Sequence, residues 1–309
     1  MTPLVIVNPR AGAGRAGREW SRTAVALRES IGPFDGQLTS GPMDAARQAT
    51  AAVHARRPLV VAVGGDGTVN EVVHGLLSAT ADAAARPELA LIVIGTGADL
   101  ARSLCLPAGT LAQARRAGQA TSRFIDAGRA EFMGEDGQLH VRHFVNVAGL
   151  GLSGVTDRVV NAGGWLRVLG ARAAFQVGVA RALMEWRNEP VTIEVDGTVA
   201  FDGACKVTAV ANGRWFGGGM RIAPEALLDD GLLDVVVVGD VGALTLVRRL
   251  PLVYRGEHLR MPEVQVLRGR VVTARPTGAG PVPLDLDGES PGYLPATFSV
   301  VPAAVRVRA

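Results

Sequence analysis

Two patterns of apolar residues divide the chain. Up to about residue 125, short continuous apolar runs at 4–7, 59–63 and 89–94 alternate with stretches whose apolar residues recur at helical spacing, over 19–30, 43–55 and 69–77. Continuous runs of this length read as strands buried on both faces, and strands that alternate with helices predict a parallel sheet covered on both sides. The loops after such strands gather at one edge of the sheet. Beyond residue 126 strand-like runs dominate, at 141–147, 191–195, 204–211, 232–238, 264–274 and 297–301, with an Asp196-Gly197 hairpin turn. This second part reads as an antiparallel sandwich or barrel. Two helices, 164–188 and 241–254, interrupt it. In the first, Trp165, Leu166, Val168, Leu169, Phe175, Val177, Val179, Leu183, Met184 and Trp186 cover about half of a helical wheel. Two readings stay open for it: a helix packed between domains, or an apolar wall along which a lipid enters.

The polar residues at the strand ends carry the first chemistry. Gly64-Gly65-Asp66-Gly67-Thr68 joins the 59–63 strand to the next helix. Its glycines allow a sharp turn and close approach of backbone to a ligand, and N–H groups at the helix start favour an anion. Thr68 and Glu71 have the spacing of a capping box, which would start the helix at Thr68. Asp66 repels phosphate unless a cation lies between them, so it points to a metal nucleotide. Gly95-Thr96-Gly97-Ala98-Asp99 follows the 89–94 strand in the same way.

After the first strand, Asn8-Pro9-Arg10 leads into Gly12-Ala-Gly14-Arg-Ala-Gly17, which has the form G-x-G-x-x-G. Three readings remain for it: a dinucleotide loop, a Gly- and Arg-rich phosphate loop, and plain Ala/Gly bias. Against the first, Pro9 and Arg10 intervene after the strand, and the acidic residue expected about 20 positions on could only be Asp35.

Composition changes this picture little. The 309 residues are 48% hydrophobic and 20% charged, enough for two domains with real cores. A net charge of +3 without a basic run interleaved with aromatics argues against nucleic acid as a partner. Cys105 and Cys205 lack metal or disulfide-framework spacing, and the five histidines, His54, His74, His140, His143 and His258, show no metal motif. The first residues run straight into a strand without a signal-like segment, and no apolar stretch reaches the length of a membrane span, so a soluble, cytoplasmic protein is expected.

In the second half, Asn212-Gly-Arg-Trp-Phe-Gly-Gly-Gly219 is too glycine-rich for a strand and would let backbone approach another segment or a phosphate. Asp229-Asp230-Gly231 and Asp285-Leu-Asp287-Gly-Glu289 place carboxylates at turns, either as solvated tips or as hard-cation and proton-handling sites.

In their order along the chain, VNPRAGAG, GGDGTVNEVVHGL, IGTGADLARSL, VANGRWFGGGMRIAPEALLDDGLLDVVVV and VPLDLDGE resemble the blocks of the diacylglycerol kinase catalytic family, which includes bacterial lipid kinases and sphingosine kinases. The resemblance runs from Val7 to Glu289. It implies an α/β nucleotide-binding domain with an NAD kinase/phosphofructokinase-like parallel sheet, followed by a β-rich antiparallel sandwich. The implied domains are 1–127, rejoined by 303–309, and 128–302, with ATP and lipid meeting in the cleft between them.

The resemblance also implies site roles. Asn8, Arg10, Gly64, Gly65, Asp66, Gly67, Thr68, Gly95, Thr96 and Asp99 would bind ATP, with Asp66 positioning the catalytic Mg²⁺. Asp230 and the backbone of Leu232 would hold a structural Mg²⁺. Asp287 would act as general base, with Glu289 beside it. The third loop departs from the family pattern P-x-G-T-x-N-D-F-A-R, with Val93 for Pro, Ala98 for Asn and Leu100 for Phe, which removes an amide from the nucleotide side. The implied activity is ATP- and Mg²⁺-dependent phosphorylation of a lipid hydroxyl, most directly diacylglycerol. A peripheral protein at the inner face of the membrane, with a homodimer among its expected states, goes with that reading. The alternatives are an NAD kinase-like enzyme with a soluble acceptor and a catalytically weak lipid- or nucleotide-binding regulator.

Overall fold

A computed structural model describes residues 1–95, 97–162, 178, 181–183 and 186–309. Thr96 and most of the helix expected over 164–188 lie outside the described residues. The chain divides into two compact units, Met1–Ala127 with Val301–Ala309, and Gly128–Val300.

The first unit alternates strand and helix: β1 Leu4–Val7, α1 Arg15–Ile31, β2 Asp35–Leu38, α2 Asp44–His54, β3 Leu59–Gly64, α3 Asp66–Ala79, β4 Glu88–Val93, α4 Asp99–Ser103 and α5 Thr110–Gln119. Its strands are parallel in the order β2-β1-β3-β4, and Val307 and Arg308 at the chain end pair in parallel with Leu89 and Ala90 of β4. Every residue of β1 and β3 is buried, which is why these strands read as unbroken apolar runs rather than alternating ones. The order places β2 and β3 on opposite sides of β1. The loops after β1 and β3 therefore flank a topological switch point, the place where open α/β sheets bind ligands.

The second unit is a sandwich. Its strands are the Gly128–Gly134 part of β5 (Ser122–Gly134), β6 Leu139–Phe144, β7 Val147–Gly151, β8 Glu189–Val195, β9 Thr198–Cys205, β10 Val207–Ala211, β11 Leu233–Val238, β12 Val264–Gly269, β13 Val271–Pro276, β14 Leu284–Leu286 and the first part of β15 (Gly292–Arg308). One sheet has the order β12-β11-β10-β7-β14, antiparallel throughout. In the other, β15-β13-β8-β9 are antiparallel, and β5 pairs with β6. Phe132, Phe144, Phe298, Leu150 and Ile193 fill the space between the sheets. Leu233, Val235 and Val237 of β11 join that core, whereas Val236 packs on the opposite face against Met220, Ile222 and Val253. The helices given full bounds among the described residues are α6 Leu152–Ala162 and α7 Ala243–Arg255. No described helix is long and apolar enough to cross a membrane.

Three runs that read as single strands are each split, and all three for one reason. The runs 141–147, 204–211 and 264–274 break at Val145–Asn146, at Lys206 and at Arg270, and at each break the chain leaves one sheet for the other. At the last, the Asp196 carboxylate accepts both Arg270 N–H and Val271 N–H at 2.9 Å. A period of two is the same on either sheet, so apolar patterning does not register the switch. The Asp196-Gly197 turn forms as expected, with φ of 48° and 81°, joining β8 to β9. Helix α6 has no counterpart in the pattern-based assignment, and the strand expected over 282–284 forms two residues later, as β14.

Candidate active site

The expected capping box does not form. Helix α3 begins at Asp66 with Gly65 as N-cap, two residues before Thr68. The Thr68 hydroxyl instead accepts Asn8 Nδ2–H at 3.0 Å, and Glu71 accepts the N–H of Ala45 at 3.2 Å. Asn8 also accepts Arg10 N–H through its Oδ1 at 3.0 Å. The loops after β1 and β3 are thereby tied together at the switch point. Successive left-handed residues Gly12, Ala13 and Gly14 then lead the β1 loop into α1. Asp35, the acidic residue a dinucleotide loop would need, opens β2 rather than closing it and pairs with Arg57. It therefore sits at the other edge of the sheet from the glycines.

Asp66 joins the β3 loop to the β4 loop. Its Oδ2 accepts Ala98 N–H at 2.8 Å and its Oδ1 accepts Asp99 N–H at 3.2 Å. Burial raises the Asp66 pKa, opposed by these two N–H groups and by the charge of Arg102. Ala98 makes its bond from the left-handed region, at φ 53°. Asparagine enters that region more readily than alanine, so the departure from the family pattern costs conformational energy and an amide but keeps the backbone bond to Asp66. At Gly97 a side chain would put Cβ under 3.0 Å from Asp66 Oδ2. Asp99 is buried and pairs with Arg102, which also bonds the Gly97 carbonyl. Asn8, Gly64, Gly65, Asp66, Gly67, Thr68, Gly95 and Asp99 thus gather at the C-terminal edge of the sheet, with Arg10 exposed beside them.

Asp287 and Glu289 lie in the tight turn between β14 and β15. Leu286 and Glu289 exchange backbone hydrogen bonds of 2.7 and 3.1 Å across Asp287 and Gly288, whose φ values are 50° and 92°. The Asp287 carboxylate accepts three backbone N–H groups, from Val145 at 2.8 Å, Asn146 at 3.0 Å and Val147 at 2.9 Å. These are the residues where β6 gives way to β7. The glycine-rich 212–219 segment approaches the same break, where Asn212 and Gly213 N–H both donate to the Asn146 carbonyl at 2.9 and 2.8 Å.

A carboxyl pair that the sequence reading missed stands behind this turn. Asp157 of α6 is hydrogen-bonded to Asp285 of β14, and Asp285 accepts Gly288 N–H at 2.8 Å. Burial pushes the Asp285 carboxyl up to about 6, and burial together with the charge of Asp285 pushes Asp157 well above the usual carboxylate range. Both shifts disfavour two bare carboxylates side by side and favour a protonated pair at mildly acidic pH. Its only signal in the sequence was Asp157 beside Arg158 in the short segment Leu152–Ala162, with no motif around them.

A pH dependence follows from the sign of these shifts. Between about pH 4 and 6 the folded unit holds a proton that the unfolded chain has released, so stability falls as pH rises through that window. Asp285→Asn removes the like charge and keeps an oxygen for Gly288. It should stabilise the protein above pH 6 by on the order of 2–3 kcal/mol and flatten the pH profile, as measured by denaturant unfolding at pH 5 to 8. A variant as pH-sensitive as the parent would contradict it.

Asp230 has a different partner from the one expected. Its Oδ2 pairs with Arg268 at 2.5 Å and its Oδ1 accepts Leu232 N–H at 3.1 Å, while Arg268 also pairs with buried Asp234 at 3.2 Å. Magnesium requires near-octahedral oxygens. Here a guanidinium holds the carboxylate, and among the described residues no group of three or more His, Cys, Asp or Glu side chains is arranged to hold a metal. Asp230 and Leu232 as arranged do not fit a structural ion. Asp66 does fit a cation with its nucleotide, because one N–H on each oxygen leaves lone pairs on a buried carboxylate whose charge is otherwise penalised.

Comparison with known proteins agrees with both halves. Residues 2–130 match the diacylglycerol kinase catalytic domain, and residues 146–309 match the YegS C-terminal NAD kinase beta sandwich-like domain. The chain is 32% identical over 290 residues to a probable lipid kinase YegS-like protein of Xanthomonas euvesicatoria pv. vesicatoria (strain 85-10), covering 91% of this chain and 90% of that one. It is 27% identical over 295 residues to a diacylglycerol kinase of Bacillus subtilis (strain 168), covering 95% and 91%. A crystal structure of a putative diacylglycerol kinase from Bacillus anthracis str. Sterne superposes with a TM-score of 0.80 at 23% identity, over 99% of this chain and 94% of that one, a likeness of fold. The phosphate-loop unit and the sandwich unit are those of one family, and the chain belongs to the lipid kinases built on the diacylglycerol kinase catalytic domain.

Proposed function

We propose that the protein transfers the γ-phosphoryl group of ATP to a hydroxyl of a membrane lipid, with diacylglycerol as acceptor and phosphatidic acid as product. The observation that carries this reading is Asp66, a buried carboxylate bridging two glycine loops at the switch point of a parallel sheet. The backbone of Gly64, Gly65, Gly67 and Gly95 binds the phosphates, with Thr68 held by Asn8, whose Oδ1 accepts Arg10 N–H. Magnesium, when bound with ATP, supplies neutralisation of charge on the transferring group, and Asp66 is the residue that would hold it. Asp99 supports the loop through Arg102.

On the second unit, Asp287 receives the proton of the lipid hydroxyl, with Glu289 in the same turn. Three N–H donors orient the Asp287 carboxylate. In a loose phosphoryl-transfer transition state positioning outweighs basicity, so an oriented carboxylate is sufficient. Work on a membrane lipid makes this a peripheral protein of the inner membrane face.

Incubation with labelled ATP, Mg²⁺ and a panel of diacylglycerol, sphingosine and polar glycerolipids tests the reading. Labelled phosphatidic acid is the expected product. Label in none of the lipids would overturn it, and NADP formed from NAD would transfer the enzyme to a soluble acceptor.

A further inference from the structure

Helix α6 touches the Asp287–Glu289 turn from both ends through two consecutive residues. Asp157 bonds Asp285, whose Oδ1 holds Gly288 N–H inside the turn. Arg158 donates from Nε to the Ser290 hydroxyl at 2.8 Å and from Nη1 to the Tyr293 hydroxyl, and stacks 4.2 Å over the Tyr293 ring. It also pairs with Glu135 at 3.1 Å. The helix packs directly on the chain entering β14: at Gly154 even a Cβ would fall 2.7 Å from the Pro283 carbonyl. The segment that carries Asp287 is therefore gripped on its β14 side by Asp157 and on its β15 side by Arg158.

The two grips differ in kind. Arg158 is a cation that holds two hydroxyls, the Tyr293 ring and the Glu135 carboxylate, and none of these contacts needs a shared proton. Asp157 and Asp285 are both acids, and two carboxyls bond to each other only while one carries a proton. Among the described residues, the charged groups that act on the pair are Glu289 toward Asp157 and Asp287 toward Asp285, both acidic. Loss of the proton would leave like charges pressed together directly behind Gly288. Asp157 Oδ2 is shut off from solvent with no hydrogen-bond partner among the described residues, so water offers no relief there.

We propose that Asp157 is a positioning residue for the reaction: through a proton shared with Asp285 it holds the Asp287-Gly288-Glu289 turn in register for the acceptor hydroxyl. This rests on the assignment of Asp287 to the proton-accepting role. Asparagine at 157 can donate its amide N–H to Asp285 without any titrating proton, whereas alanine can make no such bond.

The test compares the full-length protein with Asp157→Ala and Asp157→Asn in two measurements. In diacylglycerol phosphorylation, Asp157→Ala should lower kcat at least 30-fold with the ATP KM within twofold. Asp157→Asn should restore kcat to within about threefold and lack the alkaline fall in kcat of the wild type. In amide hydrogen exchange, Gly288 should exchange faster in Asp157→Ala, and in the wild type it should gain an excess over the intrinsic rise with pH that Asp157→Asn lacks. If the wild type phosphorylates no lipid, the functional reading fails and the exchange measurement alone decides the grip. A folded Asp157→Ala with wild-type kcat, or Gly288 exchange equal in all three proteins, overturns the proposal. Should Asp157→Ala not fold, identical pH profiles for wild type and Asp157→Asn overturn it equally.

Discussion

Asp66→Asn is expected to lower kcat about 10²- to 10³-fold while leaving thermal stability unchanged or higher. Both Asp66 oxygens accept backbone N–H groups, from Ala98 and Asp99. An amide has one oxygen only, so its NH₂ must face one of those donors, and a donor facing a donor in a buried place forfeits a hydrogen bond with nothing in exchange. The β4 loop is then tied at one point instead of two, and the negative charge for a cation is gone. Phosphoryl transfer depends on charge neutralisation and alignment of the phosphates, so a small displacement is costly in rate. Stability responds the other way, because burial disfavours the ionised carboxylate and a neutral side chain avoids that cost. Steady-state kinetics with ATP and lipid, beside a thermal unfolding curve, checks both. A variant within threefold of wild type in kcat would remove Asp66 from the reaction.

Gly75→Ala should destabilise the first unit by at least about 2 kcal/mol, lowering Tm by roughly 5–10 °C. A Cβ at Gly75 would lie 2.8 Å from the Ala46 carbonyl carbon and 2.9 Å from its Cα, and nearer still to the oxygen. All three are backbone atoms of α2, which no change of rotamer can move. The crossing is close because α2 presents Ala45, Ala46, Ala49 and Ala52, all buried, to its neighbours. Thr50 bonds the Gly75 carbonyl at 3.0 Å across the same contact. Alanine gains up to about 1 kcal/mol in helix propensity over glycine, which reduces but does not cancel the overlap. Gly41→Ala, with open space around it, serves as the control and should leave Tm unchanged within a degree or two. Calorimetric scans that place Gly75→Ala level with Gly41→Ala would refute the close crossing. Because the helix that crosses here is the one that starts at Asp66, a forced shift of α3 should also weaken nucleotide binding.

The glycine loops at the strand ends were legible because their residues act locally. A glycine run between a buried strand and a helix has the same meaning wherever the domain sits, and Gly64 to Thr68 could be placed at a strand end from neighbours alone. The capping box failed at the same spot for a tertiary reason. Thr68 and Glu71 had the right spacing, but Asn8 and Ala45, 60 and 26 residues away, offered their N–H groups instead. Asp230 likewise has a partner, Arg268, that nothing near it in sequence announces. Asp157 was invisible because its importance lies wholly in Asp285, on another element.

The sequence by itself determined the order of elements, the change from an α/β to a β-rich pattern and the glycine loops at the strand ends, since each depends on residues within a few positions of one another. Only the tertiary structure decided which sheet each strand joins, that the Asp287 turn seals the break between β6 and β7, and that Asp157 and Asp285 come together behind it. Those facts depend on burial and on partners brought together by the fold, and a run of apolar residues carries neither.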